Sequence, residues 1–114
     1  MFNLIPKLKL YVKHNTDLQS IPHAKVYWVK IPDNAKNKTV FCNKFKDSET
    51  GLHVDITNDG GFTLLWGSNN PGTILWIYLH KVVCTGFKDT KVEKKFSLKD
   101  SSEKEFTVYL TPDS

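Results

Sequence analysis

The sequence predicts an all-β sandwich: a single domain over residues 1–114, built from seven or eight short antiparallel strands. Three observations carry that prediction. Apolar and polar residues alternate over short runs, turn residues interrupt those runs at close intervals, and no window holds a capped helical periodicity.

The elements follow in order. Leu8 to His14 alternates and stops at Asn15-Thr16-Asp17, a strand and then a turn. Ala24 to Ile31 is a second strand, led in by Ile21-Pro22 and terminated by Pro32-Asp33-Asn34. The polar stretch Asp33 to Lys38 is a loop, Thr39 to Phe45 a third strand, and Asp47 to Gly51 a turn. Leu52 to Thr57 and Phe62 to Trp66 have strand composition and flank Asn58-Asp59-Gly60-Gly61. Asn and Asp tolerate left-handed backbone and Gly takes it freely, so this segment reads as a β-hairpin. The loop Gly67 to Gly72 precedes Thr73 to Cys84, the longest apolar stretch. Lys91 to Leu98 and Phe106 to Leu110 alternate again. Between them, Asp100 to Lys104 could form a short capping turn.

An apolar fraction of 39% and a charged fraction of 25% are those of an ordinary folded chain, and no run approaches the roughly 20 apolar residues of a membrane span. The net charge is +4, and every basic side chain is Lys. Arg supplies the planar fork that grips guanine edges and phosphates, so its absence, with acids interspersed among the lysines, argues against nucleic acid. Lys94-Lys95 and Lys44-x-Lys46 read as solvated surface. The start, MFNLIPKLKLYV, lacks the basic n-region and cleavage site of a signal peptide; the chain reads as cytosolic or as a mature form whose signal was replaced by Met1.

Cys42 and Cys84 fit one structural disulfide in an oxidising compartment, or two buried thiols in a reducing one. Asn37-Lys38-Thr39 is an N-glycosylation sequon in a loop. Together these features lean toward a secreted, extracellular protein.

Several segments resemble prealbumin-like domains. Lys9-Leu10-Tyr11-Val12, a polar turn and then Pro22-His23-Ala24-Lys25-Val26-Tyr27 is similar to their opening, a first strand followed by Pro and "A-x-V-x-V". Ile56 to Leu64 resembles the "T-D-x-N-G-x-F-x-L" signature. Ile74 to His80, with Cys84 beyond, resembles the "P-Y-L-K-I-Y-H-x-C" segment of the nematode transthyretin-like family. The resemblance implies a prealbumin-like sandwich whose Asn58–Gly61 turn presents Phe62 and Leu64 to the core. It also implies a secreted, non-catalytic binding module for an extracellular protein, glycan or lipid, with no cofactor. A carboxypeptidase-regulatory-like structural module is the alternative within the same fold.

The catalytic members of that fold, the hydroxyisourate hydrolases, use a His with an Arg and end in Tyr-Arg-Gly-Ser; this chain has no Arg and ends Leu110-Thr111-Pro112-Asp113-Ser114. An unrelated hydrolase would need a constellation among His14, His23, His53 and His80. Only the weak His53-x-Asp55 pair shares ligand spacing, so neither a metal site nor a catalytic set is expected.

One pattern is left for function. In a strand, Leu75, Ile77 and Leu79 share one face, and Trp76, Tyr78 and His80 the other. An outer sandwich face should be polar. Either a segment such as Met1 to Pro6 covers the second face, or Trp76, Tyr78 and His80 form a ligand-binding surface or homodimer interface.

Overall fold

The computed structural model describes residues 5–67, 72–99 and 102–113. Strands β1 (Lys7–His14), β2 (Lys25–Ile31), β3 (His53–Ile56), β4 (Phe62–Trp66), β5 (Leu75–Val83), β6 (Thr90–Leu98) and β7 (Glu103–Leu110) are joined by one short helix, α1 (Lys38–Asn43), which runs into a 3₁₀ turn at Lys44–Lys46. They form two sheets, ordered β4-β1-β7 and β3-β2-β5-β6. This is the expected all-β sandwich. Its ladders are antiparallel except one: β1 lies parallel to β7 in register from Lys7 opposite Glu103 to His14 opposite Leu110.

Period-two alternation places the core. Leu8, Leu10 and Val12 of β1 meet Val26 and Trp28 of β2, Leu75, Ile77 and Leu79 of β5, and Val108 and Leu110 of β7 between the sheets. The expected aliphatic set on β5 is thus the one that faces inward.

Two local expectations need correction. Thr39 to Phe45 is helical. The Oδ1 of Asn37 accepts the Val40 N–H at 3.1 Å, which caps the first turn. Phe41, Cys42 and Phe45 then fall on one helical face against the sheet, whereas a strand would split them between two. The segment around Asn58–Gly61 is also no hairpin, because β3 pairs with β2 and β4 pairs with β1 in the other sheet. The turn itself forms, with the Asn58 carboxamide accepting the Gly60 and Phe62 N–H groups. A second bond set redirects the chain. The buried Thr57 hydroxyl donates to the Ile21 carbonyl and accepts from the Ala24 N–H, both at 2.9 Å, which pins the corner to the start of β2. Gly61 takes φ +76°, and a Cβ there would lie 2.6 Å from that of Ser20. β4 consequently enters with Leu65 inward and fully buried. Phe62 and Leu64, expected in the core, stand on the outer face, where Phe62 packs on Tyr11.

Residues 68–71 of the expected loop, 1–4 of the amino-terminal segment and 100–101 of the expected capping turn lie outside the described residues.

Candidate functional site

The outer face of β5 is covered by the chain's own excursion between β2 and β3. Ile31, Cys42, Phe45 and Tyr78 form a second buried cluster there, with Val29, Phe41, Leu52 and Trp76 packed against it. The Tyr78 ring stacks on Phe45 at 6.0 Å, and Phe45 meets Phe41 edge-on at 5.6 Å. Trp76, Tyr78 and His80 are therefore not an open recognition surface. Tyr78 and His80 are buried and Trp76 is half-buried beside Lys38. Among the described residues the covering segment is the α1 excursion.

A β-bulge builds the site. Leu79 faces the core, and so does Val82, three residues on; the ladder register slips on both the β2 and β6 sides of His80. The extra residue brings His80 and Lys81 to the same outer side. Opposite, Glu93 of β6 takes φ +48°, a left-handed backbone uncommon for a side chain of its size. Both side chains then reach Glu49, from the turn after the 3₁₀ segment. Lys81 Nζ lies 2.7 Å and His80 Nε2 3.1 Å from the Glu49 Oε2. His80 Nδ1 is 2.9 Å from the Tyr78 hydroxyl.

The Lys81 ammonium, bonded to Glu49, holds that carboxyl below its ordinary range, with His80 adding to the effect. An ionised Glu49 can only accept, so it takes the Nε2–H of His80, and the ring's Nδ1 bonds the Tyr78 hydroxyl. Burial, then Glu93 and Cys42, pushes the Tyr78 phenol up to about 12. The phenol thus remains a donor. Glu49, His80 and Tyr78 form a chain in which both imidazole nitrogens are already engaged.

In front of this chain lies a cleft of about 650 Å³, lined by Phe45, Lys46, Asp47, Glu49, His80, Lys81, Asp89, Lys91 and Glu93. Three ammonium groups there stand among four carboxylates, so the lining carries polar groups of both signs with little net charge.

The other expected site residues disperse. Cys42 and Cys84 are both free. Cys42 belongs to the cluster outside the four-stranded sheet and Cys84 packs against the core on its other side, which corrects the expected disulfide. Burial pushes both thiols up, so neither is poised as a thiolate nucleophile. Asn37 is exposed at the start of α1. The His53-x-Asp55 pair is structural: Asp55 accepts from the Trp28 indole at 2.8 Å, and His53 packs on that ring at 5.2 Å. Among the described residues no group of three or more His, Cys, Asp or Glu could hold a metal ion, and no helix is long and apolar enough to cross a membrane.

Sequence reasoning found Tyr78 and His80 but missed Glu49, which sits 31 positions from His80 in what reads as an ordinary solvent turn. The available signal was the capping Asn37 with the helical spacing of Phe41, Cys42 and Phe45.

No protein-family model matches the chain, and no curated protein matches it. Among solved structures it is similar to the Bacillus anthracis TIE protein, with a TM-score of 0.58 and 14% sequence identity over 96% of this chain. The matched part is 17% of that chain, so the likeness is to one module of a much longer protein, and it is a likeness of fold.

Proposed function

We propose that this chain is a non-catalytic, extracellular β-sandwich module of the transthyretin-like kind, whose cleft beside His80 binds a neutral, hydroxyl-rich glycan. The observation that carries the reading is the closed Glu49–His80–Tyr78 chain. Both ring nitrogens of His80 bond protein partners, as they also do in catalytic triads. Here, however, the hydroxyl at the far end belongs to the buried Tyr78, which does not line the cleft, so the chain presents no reacting group to a ligand there. The chain's role is to hold the cleft wall in shape. Interspersed lysines and carboxylates offer donors and acceptors at many angles, which matches vicinal hydroxyls better than a lipid tail or a single strong anion. The sequence resemblances support the assignment of kind, and the exposed Asn37 sequon supports the compartment, against which the two free thiols count. No cofactor enters the reading.

Titration of the ¹⁵N-labelled protein with neutral oligosaccharides should shift the amides of Glu49, Lys81, Asp89 and Lys91 with a Kd on the order of 1 mM. Asp89→Ala with Lys91→Ala should abolish the shifts. Their absence for every neutral glycan at about ten times that concentration would reject glycan recognition. Turnover of a glycan or of hydroxyisourate on the order of 10 per second would overturn the non-catalytic reading.

A further inference from the structure

We propose that β4 is a homodimerisation edge, on which a second copy of this chain adds its own β4 in antiparallel fashion to make one continuous six-stranded sheet. The inference is independent of the cleft.

The four sheet edges differ in chemistry. β6 carries Lys91, Lys94 and Lys95, and β7 carries Glu103, Lys104 and Glu105, the charged blunting that discourages strand addition. β3 stops after four residues and commits Asp55 to Trp28. β4, Phe-Thr-Leu-Leu-Trp, has no charged residue, and Leu64 and Trp66 stand 38% and 55% exposed. In a chain of net charge +4, β4 is the edge whose whole length meets its own copy without charge repulsion, whereas β7 is uncharged only from Phe106 on.

The backbone fixes the register. Gly61 O accepts from Val12 N at 2.8 Å, so Gly61 points toward β1 and the alternate residues Phe62, Leu64 and Trp66 point away. The Phe62 N–H and carbonyl are taken by Asn58. The N–H and C=O groups of Leu64 and Trp66 have no partner among the described residues. A two-fold axis through Leu65 satisfies both, pairing Leu64 with the partner's Trp66 and Trp66 with the partner's Leu64, and it leaves the Asn58 turn clear. Both side chains lie on the outer face, so each Trp ring would settle beside a Leu64, where Ile5, Lys7, Leu64 and Trp66 line a groove of about 180 Å³. The contact is isologous and closes on itself.

Sedimentation equilibrium of the purified chain up to about 1 mM should show a monomer–dimer equilibrium. Mixed-label NMR on the unmodified protein should give intermolecular contacts between the Leu64 methyls and the Trp66 indole. Trp66→Lys should weaken association at least roughly tenfold with the melting midpoint nearly unchanged. Leu64→Pro, which removes an outward N–H and no bond to β1, should do the same. A monomer throughout that range overturns the proposal, as does a dimer whose intermolecular contacts lie elsewhere or whose affinity both substitutions leave unchanged.

Discussion

The outer faces of the two sheets carry similar side chains and meet different fates. On the four-stranded sheet, Tyr78 and Trp76 are roofed by Phe41, Cys42 and Phe45 of the α1 excursion. On the three-stranded sheet, Leu64 and Trp66 of β4 and Tyr109 of β7 stay largely exposed. Aromatic residues on an outward strand face thus carry no single meaning. Whether such a face is interior or interface depends on whether the chain elsewhere spends a segment to cover it, and here the 21 residues between β2 and β3 cover one sheet only.

The sharpest way to break this contrast is to delete a matching side chain on each face. Phe45→Ala should cost about 3–5 kcal/mol by urea denaturation, as for a buried aromatic. Leu64→Ala should change monomer stability by no more than about 1 kcal/mol. Equal losses would erase the distinction between roofed and open faces.

The second test uses pH. The Tyr78 phenol is raised from about 10 to about 12 in the folded state, so the folded protein keeps a proton that the unfolded chain releases. Its contribution is complete below about pH 10 and is lost as pH rises toward about 12. Tyr78→Phe should flatten this alkaline loss in melts taken across that window, and an unchanged slope would mean the roof admits water.

A smaller effect is expected at the roof's leading end. Removing the Asn37 cap with Asn37→Ala should cost about 1 kcal/mol, with Val40 amide exchange accelerated before the sheet amides respond. The smallest is on the acid side. Glu49 is held below the ordinary carboxylate value by Lys81, so its contribution is present above the unfolded pKa and fades as pH falls through the folded one. Glu49→Gln should remove that part of the acid sensitivity, a few tenths of a kcal/mol for so exposed a pair. Thiol titration gives a qualitative companion. The unfolded, unreduced protein should show two free thiols, and in the native state Cys42, on the buried side of the roof, should react more slowly than the half-buried Cys84.

These contrasts show what was legible from residues alone. The strands were, because alternation is a local signal: Leu75, Ile77 and Leu79 point inward as their spacing requires. The turn at Asn58–Gly61 was too, since its bonds join neighbours. The partners of those strands were not. Only the long-range bonds from Thr57 to Ile21 and Ala24 decide that the turn is a corner between sheets, and the corner flips Phe62 and Leu64 outward. The site was half legible. Tyr78 and His80 stood out as misplaced apolar and polar groups on one strand. The bulge that sets Lys81 beside His80 and the turn that delivers Glu49 depend on register and tertiary approach, which no pattern of types records.

The parallel pairing of β1 with β7 has a mechanical consequence. The chain enters β1 at Lys7 and leaves β7 at Leu110, at opposite ends of one eight-pair ladder. Tension applied across these two points pulls the strands past one another lengthwise, so the rungs share the load instead of opening one by one. The sandwich is therefore strongest along the line through which neighbouring chain would pull on it, and a lateral tug on β4 or β6 meets a far weaker seam.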